Sequence, residues 1–117
     1  MGNAHTLQYD LSVAEFTLSD PGNGKALPNA QFGTIPIVTA AAETRTLADP
    51  QKAGLRLTLA MKTDGGDCVI TVASAINSSG NTIITLNDAG DNIELRSIAV
   101  GSAFKWRVVS NDGASLS

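Results

Sequence analysis

Reactive chemistry in this chain would have to come from one histidine, one cysteine and a few turn carboxylates. His5 sits at the amino terminus. A catalytic triad or an imidazole metal site needs an ordered histidine with partners, so His5 reads as a solvated terminal residue. Cys68 precedes Val69-Ile70 in an apolar run, where a free thiol behaves as a small buried hydrophobe. A nucleophilic cysteine needs an exposed, electropositive setting instead. Asp64 and Asp67 flank Gly65-Gly66, and Asp88 and Asp91 flank Ala89-Gly90. Calcium wants about six oxygens or more, and neither pair has EF-hand spacing. A glycosidase pair needs one carboxyl with a raised pKa, for which two unrelated turns give no cause. Aspartate in turns is explained by hydrogen bonds to its own backbone. Gly22-Asn23-Gly24-Lys25 lacks the preceding strand and following helix of a phosphate loop. Trp106 alternates in phase with Val108, which predicts core packing rather than a sugar platform. These residues predict no enzyme, no cofactor and no metal.

The elements that would position them are short strands. From Ala53 onward, alternating segments are separated by glycine turns: Leu55–Met61, Cys68–Ala73, Thr82–Leu86, Ile93–Ile98 and Trp106–Val109. Strands at a spacing of about 8–12 residues predict an all-β fold, a compact antiparallel β-sandwich or barrel. Cys68, Ile70 and Val72 share one face while Val69 and Ala73 lie on the other, so that strand should be central. Glu94 and Arg96 should face outward, placed to pair across a neighbouring strand. Asp64-Gly65-Gly66 reads as a tight hairpin turn using φ > 0.

The first half is different. All four prolines, Pro21, Pro28, Pro36 and Pro50, fall within it, and proline is confined to edges and loops. Residues 1–52 therefore read as an irregular N-terminal arm with edge strands, and residues 53–117 as the antiparallel β domain, one structural domain overall. Leu7, Tyr9, Leu11 and Val13 alternate with polar residues, and Phe16 and Leu18 continue the series one position late. A β-bulge near Ala14-Glu15 repairs the phase. These six side chains are too apolar for a solvated tail and are the candidate protein interface. Ala40-Ala41-Ala42-Glu43 could form one helical turn.

Composition narrows the partners. The net charge is −3, and the eight Lys and Arg are scattered along the sequence, which disfavours nucleic acid. Charged residues make up 16%, and a charge-poor surface is one that other subunits can cover. No apolar run approaches the roughly 20 residues that span a bilayer, so no membrane association is expected. A single cysteine excludes an internal disulfide, and no secretory signal is seen, consistent with synthesis in a reducing cytoplasm.

Residues 54–113 carry a resemblance. Gly54-Leu55-Arg56-Leu57-Thr58-Leu59, Gly65-Gly66-Asp67-Cys68-Val69-Ile70-Thr71-Val72 and Gly80-Asn81-Thr82-Ile83-Ile84-Thr85-Leu86 are followed by Ala89-Gly90-Asp91-Asn92-Ile93-Glu94-Leu95 and Lys105-Trp106-Arg107-Val108-Val109. This pattern resembles capsid decoration (cement) proteins and head or tail fibre β-modules of tailed bacteriophages. The resemblance implies a non-enzymatic virion structural protein, made in the bacterial host cytoplasm and located on the capsid surface. It would act as a homotrimer that binds and stabilises the shell of the major capsid protein. Readings that remain open are a tail or fibre attachment module and a carbohydrate-binding β-sandwich module.

Overall fold

The computed structural model describes residues 16–117, and nine strands occur there. They are β1 (Lys25–Ala26), β2 (Gly33–Val38), β3 (Glu43–Leu47), β4 (Arg56–Thr63), β5 (Cys68–Val72), β6 (Ile83–Leu86), β7 (Asn92–Val100), β8 (Ala103–Asp112) and β9 (Ser115–Leu116). Strands β2 to β7 have the alternation that half-burial requires. In β4, Leu57, Leu59 and Met61 are buried while Arg56 and Lys62 are exposed; in β7, Ile93, Leu95 and Ser97 are buried. No helix forms among these residues, and Ala40-Ala41-Ala42 makes bends rather than the helical turn its alanines suggest.

The strands form two mixed sheets in one compact all-β domain, in the orders β1-β3-β5-β6-β9 and β2-β4-β7-β8. Both sheets have ends, so neither closes into a barrel. The antiparallel expectation needs correction. Between β4 and β9 every pairing is antiparallel, but β1 with β3, β3 with β5 and β2 with β4 are parallel. The cause is the path of the chain. From β1 to β5 successive strands alternate between the two sheets, so strands that are neighbours in a sheet are two apart in sequence and run the same way. Parallel strands need such a crossover, and here the crossover is a strand of the other sheet rather than a helix.

The first half of the chain is therefore woven into both sheets. β1 and β2 are edge strands, and Pro36 sits on β2 as proline requires; β3 is interior, flanked by β1 and β5. On the outer edge of β2, Thr34 N–H donates to Phe16 C=O at 2.9 Å and Leu18 N–H donates to Thr34 C=O at 2.8 Å. Two residues on, Pro36 offers no N–H and this ladder stops. The next edge donor, Val38 N–H, goes to the Asp20 carboxylate at 3.0 Å.

One hydrophobic cluster joins the sheets, including Ile35, Leu59, Ile70, Ile84, Ile93 and Trp106. Cys68 is fully buried in it, and its strand β5 is the middle one of its sheet, as the two apolar faces indicate. The Asp64-Gly65-Gly66 turn is not a hairpin, because β4 and β5 lie in different sheets. Nor does it use positive φ. It is a corner packed against the β2–β3 corner so closely that a Cβ on Gly65 would meet Thr39 C=O, and one on Gly66 would meet the Ala41 backbone. The buried Thr39 hydroxyl holds the two corners together: Oγ1 donates to Gly66 C=O at 2.6 Å and accepts from Gly65 and Gly66 N–H at 3.1 and 3.2 Å.

Candidate functional site

Of the groups singled out for chemistry, Cys68, Asp91 and Trp106 are engaged in structure, while Asp64, Asp67 and Asp88 are exposed. Cys68 is fully buried, and burial pushes its thiol up to about 11, so it stays protonated at neutral pH. Asp91 accepts N–H bonds from Asn87 and Asp88, both at 2.9 Å, which is turn chemistry. Among the described residues no cluster of His, Cys, Asp or Glu could hold a metal ion. Trp106 is buried, and its Nε1–H donates to Ala48 C=O at 2.9 Å, so the ring is not available to stack on a sugar. His5 lies outside the described residues.

The largest buried electrostatic feature is one the sequence reading passed over. Arg45 faces the core from β3 and is 1% exposed. Its guanidinium meets Asp20 through Nε and Nη2 at 2.7 and 2.8 Å, Glu43 at 3.0 Å and Val38 C=O at 3.2 Å. Burial alone would raise the Asp20 carboxyl, but donors from Arg45, Val38 and Gly22 outweigh it and hold Asp20 below the ordinary carboxylate value. Glu43 is held low by the Ala40 N–H and Arg45, and the Asp20 carboxylate keeps Arg45 firmly charged. With both carboxylates committed, this cluster is a structural lock and not an acid–base pair. The available signal was phase: Arg45 alternates with Leu47 while Thr44 and Thr46 face out.

Of the candidate interface residues, Leu7, Tyr9, Leu11 and Val13, with the bulge near Ala14-Glu15, lie outside the described residues. Phe16 and Leu18 are described, and both line a groove of about 200 Å³ with Ala30, Gln31, Phe32, Lys52 and Leu55. Phe16 and Phe32 are 49% and 43% exposed, with ring centroids 5.2 Å apart and planes inclined by 57°. Two aromatic rings held together in solvent form a surface suited to binding.

The groove continues into a cationic row. Gly33 is level with Leu57, so Phe32, just before β2, comes beside the start of β4 at Arg56; Arg56 is opposite Arg96 on β7, and Arg96 is opposite Arg107 on β8. Like charges directly opposite on adjacent strands are destabilising. Arg56 is offset by the predicted outward partner Glu94, diagonally across at 3.3 Å. Arg107 turns over the sheet edge to Ala75 C=O at 2.7 Å. Among the described residues Arg96 has no ion pair. Lys52 and Lys105 lie at the same end, Lys105 bonded to Asp49 at 3.1 Å. Three cations scattered along the sequence are thus brought level by strand register, with Glu94 beside Arg56 and Asp49 on Lys105.

No protein-family model matches the chain, and no curated protein matches it.

Proposed function

We propose that this protein is a non-enzymatic structural module of a virion, a capsid decoration protein whose two sheets pack face to face as a sandwich and which binds the outer shell of the major capsid protein. The virion assignment comes from the resemblance carried by residues 54–113. The observation that supports binding over catalysis is the surface around the Phe16–Phe32 groove, where exposed aromatic rings adjoin an arginine row. Aromatic residues and arginine dominate the energetics of protein interfaces. Asp20, Glu43, Asp91 and the Cys68 thiol serve the fold instead. A homotrimer adds avidity, since three modest contacts on one rigid body bind far more tightly than one.

The test is location and shell binding. Mass spectrometry of separated heads and tails should find the chain in heads, and purified protein should co-sediment with undecorated shells. A variant carrying Phe16→Ser and Phe32→Ser should fold and lose co-sedimentation. Recovery in tails alone would reassign the module to tail or fibre attachment, and absence from both would overturn the virion reading.

A further inference from the structure

The β7–β8 hairpin runs past the end of its sheet. β4 is level with β7 as far as Arg56 opposite Arg96, and the residues before it, Gly54 and Leu55, bond to Ser97. Beyond Ser97 the two strands pair with each other: Ile98 is opposite Lys105, Ala99 opposite Phe104 and Val100 opposite Ala103. Gly101, with φ of +62°, turns the chain with Ser102. Residues 98–104 carry no charge, and Ser102 is their one polar side chain. Ile98 and Val100 are 39% and 41% exposed. Strand alternation puts both on the outward face, since Leu95 and Ser97 point into the core. Opposite residues share a face, so from the tip down it reads Val100 with Ala103, Ile98 with Lys105, then Arg96 with Arg107. The hairpin thus passes from apolar at its tip to cationic at its base, with no carboxylate between Arg96 and Arg107. Lys105 is answered by Asp49, and Arg107 bonds the Ala75 carbonyl. Arg96 is exposed and has no ion pair among the described residues.

We propose that this tip docks on an anionic lipid bilayer: Ile98, Val100 and Ala103 enter the boundary between headgroups and acyl chains, with Arg96 and Arg107 on the phosphates. The spacing fits. Val100 and Arg96 are separated by a rise of about 13 Å along the strand, and an interfacial element sinks about 5–10 Å. A seated tip therefore holds both guanidinium groups near phosphate level, where arginine binds through paired N–H donors. Charge sorting favours the same orientation. The exposed Asp64, Asp67 and Asp88 lie on corners at the other end of the sheets, where β4 finishes and β7 begins. A molecule of net charge −3 can thus still turn this end to an anionic surface. The make-up of the tip separates lipid from protein as its occupant. Protein hot spots are built on Trp, Tyr and Arg, with Val under-represented. Small aliphatic groups without hydrogen-bonding partners suit a fluid apolar phase, because hydrophobic burial is non-directional. No helix among the described residues is long and apolar enough to cross a membrane, and a surface contact requires none. The tip lines no part of the Phe16–Phe32 groove, so substitutions there separate lipid binding from shell binding.

Flotation of the full chain with vesicles decides. Vesicles of phosphatidylcholine and phosphatidylglycerol in equal parts should carry the chain upward. Apparent affinity should be at least about tenfold lower on phosphatidylcholine alone, and lower again at about 500 mM salt. The pair Ile98→Ser/Val100→Ser and the single Arg96→Glu should each fold, by Trp106 fluorescence, and bind vesicles at least about tenfold more weakly. The serine pair should keep its co-sedimentation with shells, and Phe16→Ser/Phe32→Ser should float as the parent does. A polarity-sensitive dye on Val100→Cys, with the buried Cys68 unlabelled, should shift to shorter wavelength on anionic vesicles. No flotation of the parent overturns the proposal, as does equal binding to neutral vesicles. Flotation that survives the serine pair, or a dye that stays in water while the chain floats, would mean adsorption by charge alone and overturn the seating. Failure of the Phe16→Ser/Phe32→Ser variant to float would move the lipid contact to the groove. Loss of shell co-sedimentation in the serine pair, with no flotation of the parent, would assign the tip to the shell protein instead.

Discussion

Arg45 and Asp20 are 25 residues apart in sequence and meet in a two-point ion pair, Nε to Oδ1 at 2.7 Å and Nη2 to Oδ2 at 2.8 Å, with the Arg45 side chain fully buried. The pair joins the loop before β1 to the interior strand β3, and Asp20 in turn takes Val38 N–H at the end of β2. A single carboxylate thereby fixes the segment leading from Phe16 to the rest of both sheets. A buried guanidinium is costly to desolvate, and it is tolerable here because Asp20, Glu43 and two carbonyls satisfy it.

Breaking that pair should be severe. Asp20→Ala strands a buried cation with one carboxylate fewer and should cost about 3 kcal/mol in urea unfolding. The pH dependence has a definite sign. The Asp20 carboxyl is lower in the folded chain than its ordinary 3.8, so its contribution is complete above that value and is lost as pH falls through it toward the folded pKa. Parent stability should therefore decline below about pH 4, and this share of the decline should be missing from Asp20→Ala. An identical acid profile in both would refute the assignment.

Thr39→Val keeps the shape of the side chain and removes the hydroxyl that serves Gly65 N–H, Gly66 N–H and Gly66 C=O. Buried backbone groups left without partners should cost about 2 kcal/mol, while Thr39→Ser should retain most of the stability. Equal loss in both variants would mean that the methyl group, not the hydroxyl, holds the corners.

Gly33 has φ of +143°, and a Cβ there would collide with the carbonyl oxygen of Phe16. Gly33→Ala should push residues 16–18 off the edge of β2, with a loss of about 1–2 kcal/mol. Amide exchange is the direct measure, since the Leu18 and Thr34 N–H groups should lose protection while Leu59 in the core keeps it. The groove wall formed by Phe16 would go with the segment, so the proposed co-sedimentation with shells should weaken too.

Cys68 should be silent to thiol reagents. With its pKa raised from 9.0 to about 11, its thiolate fraction near pH 8 falls about a hundredfold, and full burial blocks access as well. Dithionitrobenzoate should react only as urea unfolds the chain, in step with the loss of structure followed by Trp106 fluorescence. Prompt reaction in the native state would show that β5 opens locally.

By itself the sequence determined the strands from β4 to β8 and the inward faces of their apolar residues. Alternation places Leu57 and Leu59, Cys68 and Ile70, Ile93 and Leu95, and Trp106 inside, because side chains on a strand point to opposite faces in turn and only one periodicity fits. It also located Pro36 at an edge, since a missing N–H cannot be hidden within a ladder. Only the tertiary structure decided which strands are neighbours. Alternation states which face is buried and says nothing of the partner, so the crossing of β2 to β5 between sheets, and the parallel pairing that results, left no local mark. The same holds for the surface. Arg56, Arg96 and Arg107 form a row because pairing and register bring three distant strands level, and register is set by the packing of the whole core. Likewise Phe16 and Phe32 become a pair only when the segment at 16–18 bonds to the edge of β2.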